Sequence, residues 1–179
     1  MDGGGSMMNQ GVHTVDLLIF FGGRVASVCG FYGLHNHDIE SEDHVAGCLK
    51  FESGALGSVY TTTCAAPEGD QRIYGFGTKG SFRKTGERLA AFDMGGKKER
   101  ERMLRAFGRQ SGTSAIAKDP MAVSADGHAL IVEDLVKAVR DDREPVIPLS
   151  AAKHAVEVVC AIYKSSRNGR EVKIERGRK

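Results

Sequence analysis

The 179 residues are 41% hydrophobic and 27% charged with a formal net charge of +2, which indicates one ordinary domain with a buried core. This composition argues against global disorder. The longest apolar run, 15–21, contains Asp16 and is too short to span a bilayer. Met1 leads into Asp2 and three glycines rather than a basic and apolar stretch, so we see no signal peptide.

The four cysteines have neither CxxC spacing nor the Cys/His spacing of zinc fingers. Each lies in an apolar stretch, so we interpret them as reduced core residues and expect no metal site. Reduced cysteines are typical of a cytoplasmic protein, which is the location we expect. The four residues are Cys29, Cys48, Cys64 and Cys160.

A helix is predicted from about Met8 to Phe21, with Gly22–Gly23 as its stop. Val25–Tyr32 then has strand character. Residues 43–51 alternate, with Leu49 and Phe51 on one face. A turn at 52–54 and the Thr-rich run 55–64 complete a predicted β-hairpin.

Shorter strands are predicted at 71–76, 81–84 and 88–92, and a final strand at 171–174. Residues 95–125 are an irregular excursion that has room for one short helix. Two helices follow, capped by Asp126 and Ser150, and the second ends at Asn168–Gly169. The prediction is an α+β fold, a mostly antiparallel open sheet with helices packed on one face.

The predicted inward faces of these two helices follow from their apolar periodicity. The residues are Leu130, Ile131, Leu135, Val136 and Val139 in the first helix, and Val156, Val159, Cys160 and Tyr163 in the second.

Asn9 and His13 are four residues apart on the first predicted helix, so they project from one face. An amide and an imidazole at the start of an apolar helix suit a cleft that binds hydroxyl groups. The alternative is a capping Asn and a buried His with satisfied hydrogen bonds.

Two glycine-rich segments offer possible anion sites. Gly75–Gly80 has the formal pattern GxGxxG, but a strand rather than a helix is predicted after it, so we interpret it as a hairpin turn and not as a cofactor site. Gly3–Gly5 precedes a helix, and either anion binding or close approach of another element explains it.

Three further polar features remain. His35 and His37 share a strand face as a metal pair would, but a polar loop is favoured because no third ligand has sensible spacing. His128 is a lone histidine, either on the surface or in a cleft. Residues 83–109 hold nine Lys and Arg against four Asp and Glu, and interruption of the 97–109 run by acids favours a solvated face over nucleic-acid binding.

The opening segment, from Asp2 to Leu18, resembles the signature at the start of the second domain of the glucose–fructose oxidoreductase / inositol dehydrogenase family (Gfo/Idh/MocA). Later segments resemble, in order, that family's hairpin, its following turn and its two C-terminal helices. They are residues 42–57, 75–80, 128–145 and 155–172. Only about 95–125 lies outside the resemblance.

The resemblance implies a two-domain parent protein. Family members have an N-terminal Rossmann domain that binds NAD or NADP, and a C-terminal α+β domain that provides the substrate side of the cleft and usually an oligomer interface. This sequence resembles only the second domain, residues 1–179, so we expect the cofactor domain and its catalytic Lys to be absent, as in a truncated chain. No cofactor is expected for this chain alone.

The resemblance also implies roles for individual residues. His13 matches a general base or hydroxyl-orienting group, and is the expected catalytic residue. Asn9 occupies a position that is often Asp, so it can bind a substrate hydroxyl but cannot relay a proton. Asp16 matches a recurrent position with a structural role. Substrate binding is assigned to Asn9, His13 and His128, without a metal.

The leading hypothesis is the substrate-binding and oligomerisation domain of an NAD(P)-dependent oxidoreductase acting on a sugar, cyclitol or related polyol. We expect a homodimer or higher homo-oligomer formed through a sheet face, and neither nucleic acid nor a membrane as partner. The alternative is a non-enzymatic self-associating scaffold or binding module. The sheet residues expected to associate are Leu49, Phe51, Val59 and Tyr60.

Overall fold

A computed structural model describes residues 4–65, 71–108 and 126–176. The chain divides into two compact units, residues 1–65 with 138–179 and residues 66–137. Helices are mixed with antiparallel sheets, so the predicted α+β class is confirmed. The elements are a π-helix at Met7–Gly11, α1 Val12–Gly22, β1 Val25–Gly33, β2 His44–Phe51, β3 Leu56–Thr62, β4 Arg72–Gly77, β5 Gly80–Thr85, β6 Arg88–Met94, α2 Gly96–Phe107, α3 Asp126–Arg140, α4 Leu149–Asn168 and β7 Val172–Lys173.

The first unit is built on an antiparallel sheet with the strand order β3-β2-β1-β7. The β2–β3 hairpin forms as predicted, with Leu49 opposite Gly57 and Ala46 opposite Tyr60. From Val45 to Phe51, residues of β2 alternate between buried and exposed, because successive side chains in a strand point to opposite faces. The buried face packs against α4 and α1.

Helix α4 also completes the hydrogen bonding of β1. β7 pairs with β1 only at Ser27 and Val28, which leaves other β1 amides without a strand partner. Ser165 Oγ accepts a hydrogen bond from Gly30 N–H at 3.1 Å, and Ser166 Oγ accepts one from Tyr32 N–H at 3.1 Å. The Gly30 amide is buried and needs a partner, whereas the Tyr32 contact is exposed, so Ser165 does most to fix how the helix lies on the strand.

A buried histidine of α4 makes a third hydrogen bond to the backbone of β1. His154 Nε2 accepts a hydrogen bond from Val25 N–H at 3.1 Å, and its Nδ1 donates to Glu157 Oε2 at 3.3 Å. Burial is the main reason that the pKa of His154 lies below its usual value, and the positive charge of Arg24 acts in the same direction. Glu157 and the more distant Glu52 oppose this shift, so the neutral imidazole is the favoured form.

The opposite face of the sheet is open, and its residues differ from the prediction. Leu49, Phe51 and Val59 are buried on the helix-covered face. Only Tyr60 of the predicted set faces outward, where it is 65% exposed. The pairing register places it beside exposed neighbours on β1 to β3. They are Phe31 (69% exposed), Leu56 (80% exposed), Cys29, Ala46 and Cys48.

The second unit contains the antiparallel sheet β4-β5-β6, with α2 against β6. The GxGxxG segment lies at the β4–β5 hairpin, where Gly77 pairs with Gly80 around a two-residue turn, as predicted. Gly80 has φ of +129°, and a Cβ there would lie 1.8 Å from Asp93 O. A strand follows in place of the helix that dinucleotide binding requires, so this hairpin does not fit NAD or NADP.

The excursion predicted at 95–125 includes a twelve-residue helix, α2, and its remaining residues from 109 onward lie outside the described part. The predicted inward face of α3 is wrong, since all five of its apolar residues are exposed. Periodicity identifies the apolar face of a helix but does not establish that a neighbouring element covers it.

Helix α4 begins after Pro148, so Ser150 is not its cap, whereas Gly169 ends the helix in the left-handed conformation as predicted. Its predicted buried face is partly wrong. Val159 is buried, but Val156 and Cys160 are exposed, and the buried positions include Val158 and Ile162 instead. The predicted cap at Asp126 cannot be compared, since that side chain lies outside the described residues.

The cysteines are free but are not core residues. Cys29, Cys48 and Cys160 are exposed, and Cys64 is half-buried. Small apolar neighbours in a strand alternate between the two faces, so an apolar stretch alone does not show which of its residues are buried. No described helix is both long enough and apolar enough to cross a bilayer.

Candidate functional site

The candidate site begins at the helical segment that carries Asn9 and His13. A buried carboxylate, Glu42, holds the start of this segment. Its Oε1 accepts hydrogen bonds from Met7 N–H and from the Tyr163 hydroxyl, both at 2.9 Å. Ser6 N–H donates to the backbone oxygen of Glu42 at 3.2 Å. A negative side chain at a helix N-terminus is stabilising, and here it also links the helix to α4.

Close approach explains one of the leading glycines. A Cβ on Gly5 would lie 1.5 Å from Glu42 Oε2 and 1.8 Å from its backbone oxygen. No larger residue fits there without moving the carboxylate. Of the two explanations for Gly3–Gly5, close approach is therefore the one that holds at Gly5, while Gly3 lies outside the described residues.

Tyr163 is the side chain of α4 that donates to Glu42. Its ring is half-buried and meets the ring of Tyr32 edge-on, with centroids 5.6 Å apart. Burial, and then the hydrogen bond to Glu42, raise the pKa of the Tyr163 hydroxyl. The hydroxyl therefore stays protonated and donates to the carboxylate.

The helical segment differs from the prediction in its first turn. Met7–Gly11 forms a π-helix, and only from Val12 does the segment continue as α-helix. Single π-helical turns within α-helices are frequent at functional sites. Met7, Gly11 and Val15 are buried, which fixes the inward face of the segment.

Asn9 and His13 are both exposed on this anchored segment, and the alternative of a buried His13 is wrong. Their side chains are presented to solvent, as groups that bind a small molecule must be. Asp16 is exposed on α1. The roles assigned to these three residues remain predictions.

His128 is exposed near the start of α3, in the second unit. Asn9 and His13 lie in the first unit. Whether His128 joins them at one site therefore stays a prediction.

A second polar cluster, which the sequence did not indicate, surrounds Asp43 in the first unit. The carboxylate is fully buried and accepts hydrogen bonds from the backbone of the loop between β1 and β2. The donors are His35 N–H (2.9 and 3.0 Å), Asn36 N–H (2.7 Å), His37 N–H (3.2 Å) and His44 Nδ1 (2.7 Å). Burial by itself raises the pKa of Asp43, but these bonds outweigh it and hold that pKa well below its usual range.

The predicted polar loop at His35–Asp38 is confirmed, but its histidines do not act as a pair. His35 stacks on His44, with ring centroids 4.0 Å apart. His37 instead lies beside Asp43 and Cys64. Cys64 follows β3, 27 residues further along the chain, so no local spacing in the sequence could have indicated this arrangement.

Comparison with known proteins agrees with the fold. Residues 1–83 match the model of the GFO/IDH/MocA C-terminal domain, so the family resemblance inferred from the opening segment is confirmed. The matched residues, 83 of the 179, make up just under half of the chain. No curated protein matches the chain.

Solved structures cover nearly all of the chain. The WlbA dehydrogenase of Bordetella pertussis, in complex with NADH and UDP-GlcNAcA, is 26% identical with a TM-score of 0.79, covering 97% of this chain and 49% of that one. The WlbA dehydrogenase of Chromobacterium violaceum, in complex with the same two ligands, is 28% identical with a TM-score of 0.77. The match covers 96% of this chain and 46% of that one.

A myo-inositol dehydrogenase from Corynebacterium glutamicum, 17% identical with a TM-score of 0.68, covers 98% of this chain and 51% of its own, and supports the fold alone. The chain therefore spans about half the length of these structures.

Proposed function

We propose that this chain is the substrate-binding and self-association domain of an NAD(P)-dependent oxidoreductase acting on a sugar, cyclitol or related polyol. Within that class we favour a nucleotide-linked sugar. Two solved structures more than 25% identical to this chain are dehydrogenases in complex with NADH and UDP-GlcNAcA, and this supports the choice.

The observation that carries the proposal is the anchored, solvent-facing pair Asn9 and His13. Glu42 fixes the start of their helix, so both side chains are held on a rigid element rather than on a loop. His13 would accept the proton of a substrate hydroxyl, or orient that hydroxyl. Asn9 would hydrogen-bond a neighbouring hydroxyl without taking its proton.

The redox step belongs to the cofactor, which supplies the hydride acceptor when it is bound. The GxGxxG segment is a β-hairpin and does not fit a dinucleotide. We therefore expect the isolated chain to lack dehydrogenase activity and to bind substrate only. Robust NAD-dependent turnover by the purified chain would contradict this assignment.

Isothermal titration calorimetry with UDP-GlcNAcA tests the proposed binding role. Replacing His13 or Asn9 by Ala should weaken binding about tenfold or more, since each change removes a hydrogen bond to the ligand. Gln10→Ala is the matched control, because Gln10 is an exposed amide on the same turn with no assigned role. Equal affinities for UDP-GlcNAcA and UDP alone would show that the sugar is not recognised.

Self-association would use the open sheet face. Phe31 on β1 and Leu56 and Tyr60 on β3 are large apolar residues exposed on the same face of the sheet. Contiguous apolar patches of this kind mark interaction sites, and a twofold interface buries the same patch on both copies.

The same exposed face favours the second candidate function, a non-enzymatic scaffold that only self-associates. The two candidates separate in one comparison. The scaffold would form a dimer or larger assembly with no affinity for nucleotide-linked sugars, free sugars or cyclitols. The oxidoreductase domain would self-associate and would also bind one of these ligands.

A further inference from the structure

We propose that His37, Asp43 and Cys64 form a binding site for a divalent transition-metal ion of the zinc type. One potential ligand atom from each residue lies within 4.8 Å of the other two. An imidazole nitrogen, a carboxylate oxygen and a thiolate sulfur are all zinc ligands in proteins. All three residues belong to the first unit.

Two of the three distances between the ligand atoms come close to those around a tetrahedral ion. His37 Nδ1 lies 3.8 Å from Cys64 Sγ and 3.5 Å from Asp43 Oδ2. Zinc bonds of about 2.0–2.3 Å place the ligand atoms of a tetrahedral site about 3.3–3.6 Å apart. Movements of a few tenths of an ångström would therefore bring the two measured distances to the values of a metal site.

The same ring nitrogen, Nδ1, faces both the sulfur and the carboxylate. In a Cys-His-Asp proton relay, the imidazole would use one nitrogen toward the thiol and the other toward the carboxylate. Mutual proximity of all three ligand atoms is instead what a shared cation requires.

The surroundings suit a bound cation. Asp43 is completely buried, and His44 Nδ1 together with backbone amides holds its carboxylate in place. Metal-binding carboxylates are themselves usually hydrogen-bonded in this way. The His37 side chain is 38% exposed and Cys64 is half-buried, which leaves a path from solvent and room for a water ligand.

A bound ion would connect two segments that are distant in sequence. It would link the loop between β1 and β2 to the end of β3. Because an ion that binds only the folded state stabilises that state, the protein should gain thermal stability with zinc. This inference does not depend on the proposed oxidoreductase role.

Cobalt(II) is the spectroscopic probe for the experiment, since a cobalt–thiolate bond gives a charge-transfer band in the near ultraviolet. The titration uses reduced, metal-free chain in which the three exposed cysteines are replaced by Ser (Cys29, Cys48 and Cys160). Cys64 is then the only thiol. We expect the charge-transfer band with one cobalt per chain, displacement of cobalt by zinc, and a higher Tm with zinc.

Cys64→Ser in this background should abolish the band, and His37→Ala should weaken cobalt binding at least tenfold. Glu40→Ala is the matched control, because it removes another exposed ligand-type side chain from the same loop and should leave the affinity unchanged. His37 is partly exposed, so its variant tests the site even if the Cys64 variant fails to fold. A missing band, or affinity independent of His37, would overturn the proposal.

Discussion

The hydrogen bond between Tyr163 and Glu42 should stabilise the whole first unit, and Tyr163→Phe removes it without changing the packing of the ring. The edge-on contact with Tyr32 is retained, while the buried carboxylate keeps only Met7 N–H as donor to Oε1. A hydrogen bond to a charged group contributes about 1.5–3 kcal/mol, and water does not replace a donor that is lost from a buried charge. We therefore expect the free energy of unfolding to fall by about 2 kcal/mol.

Urea denaturation at neutral pH measures this change. With a slope of about 1–3 kcal/mol per molar urea, the midpoint should fall by about 1 M. Tyr32→Phe is the matched control, since it removes the hydroxyl of the neighbouring ring and should change stability by less than about 0.5 kcal/mol. Equal stability of the Tyr163 variant and wild type would refute Glu42 as the anchor of the first helix.

Three further predictions concern a histidine, a glycine and the open sheet face. The pKa of His154 is lower in the folded chain, so its contribution to stability is complete above the unfolded value of about 6.5 and is lost as the pH falls below that value. In urea denaturation, the free energy of unfolding of His154→Gln should therefore fall less on acidification than that of wild type. Gly5→Ala should destabilise the chain by about 1–3 kcal/mol in the same assay, because the new methyl group meets Glu42. Tyr60→Lys should weaken self-association in analytical ultracentrifugation, whereas Tyr74→Lys, in the second unit, should not.

Each of these predictions has a contradicting result. Parallel pH profiles for wild type and the His154 variant would show that this imidazole does not titrate differently on folding. Unchanged stability of Gly5→Ala would mean that Glu42 lies elsewhere. Equal association of the Tyr60 variant and wild type would exclude the open face as the interface.

The hairpins could be predicted because their signals are local. In β2, the larger apolar side chains Val45, Leu49 and Phe51 all fall on every second position before a turn, and this period of two is typical of a strand with one buried face. The β4–β5 hairpin could be separated from a cofactor site because the residues after Gly80 have strand rather than helix character.

The buried face of α4 could not be predicted from its own residues. Apolar residues occur on several sides of the helix between Ala155 and Tyr163, so the sequence agrees with more than one choice of buried face. Strand β1 selects the observed buried face, because its Val25 and Gly30 amides bind His154 and Ser165.

The two polar clusters depend on contacts between distant residues. Glu42 lies 35 residues from Met7 and 121 from Tyr163, and Cys64 lies 27 from His37. None of these three separations corresponds to a motif, so only the folded chain brings these groups together. Asn9 and His13 were indicated by the sequence because they share one short segment with a family signature.

The imidazole NMR signals of the six histidines, followed as UDP-GlcNAcA is added, test the central claim most directly. A domain that binds the substrate through its first helix should show a saturable shift at His13, while the buried His154 stays unchanged. A shift at His128 would place it at the same site. Saturable binding that leaves His13 unaffected, or no binding at all, would contradict the account.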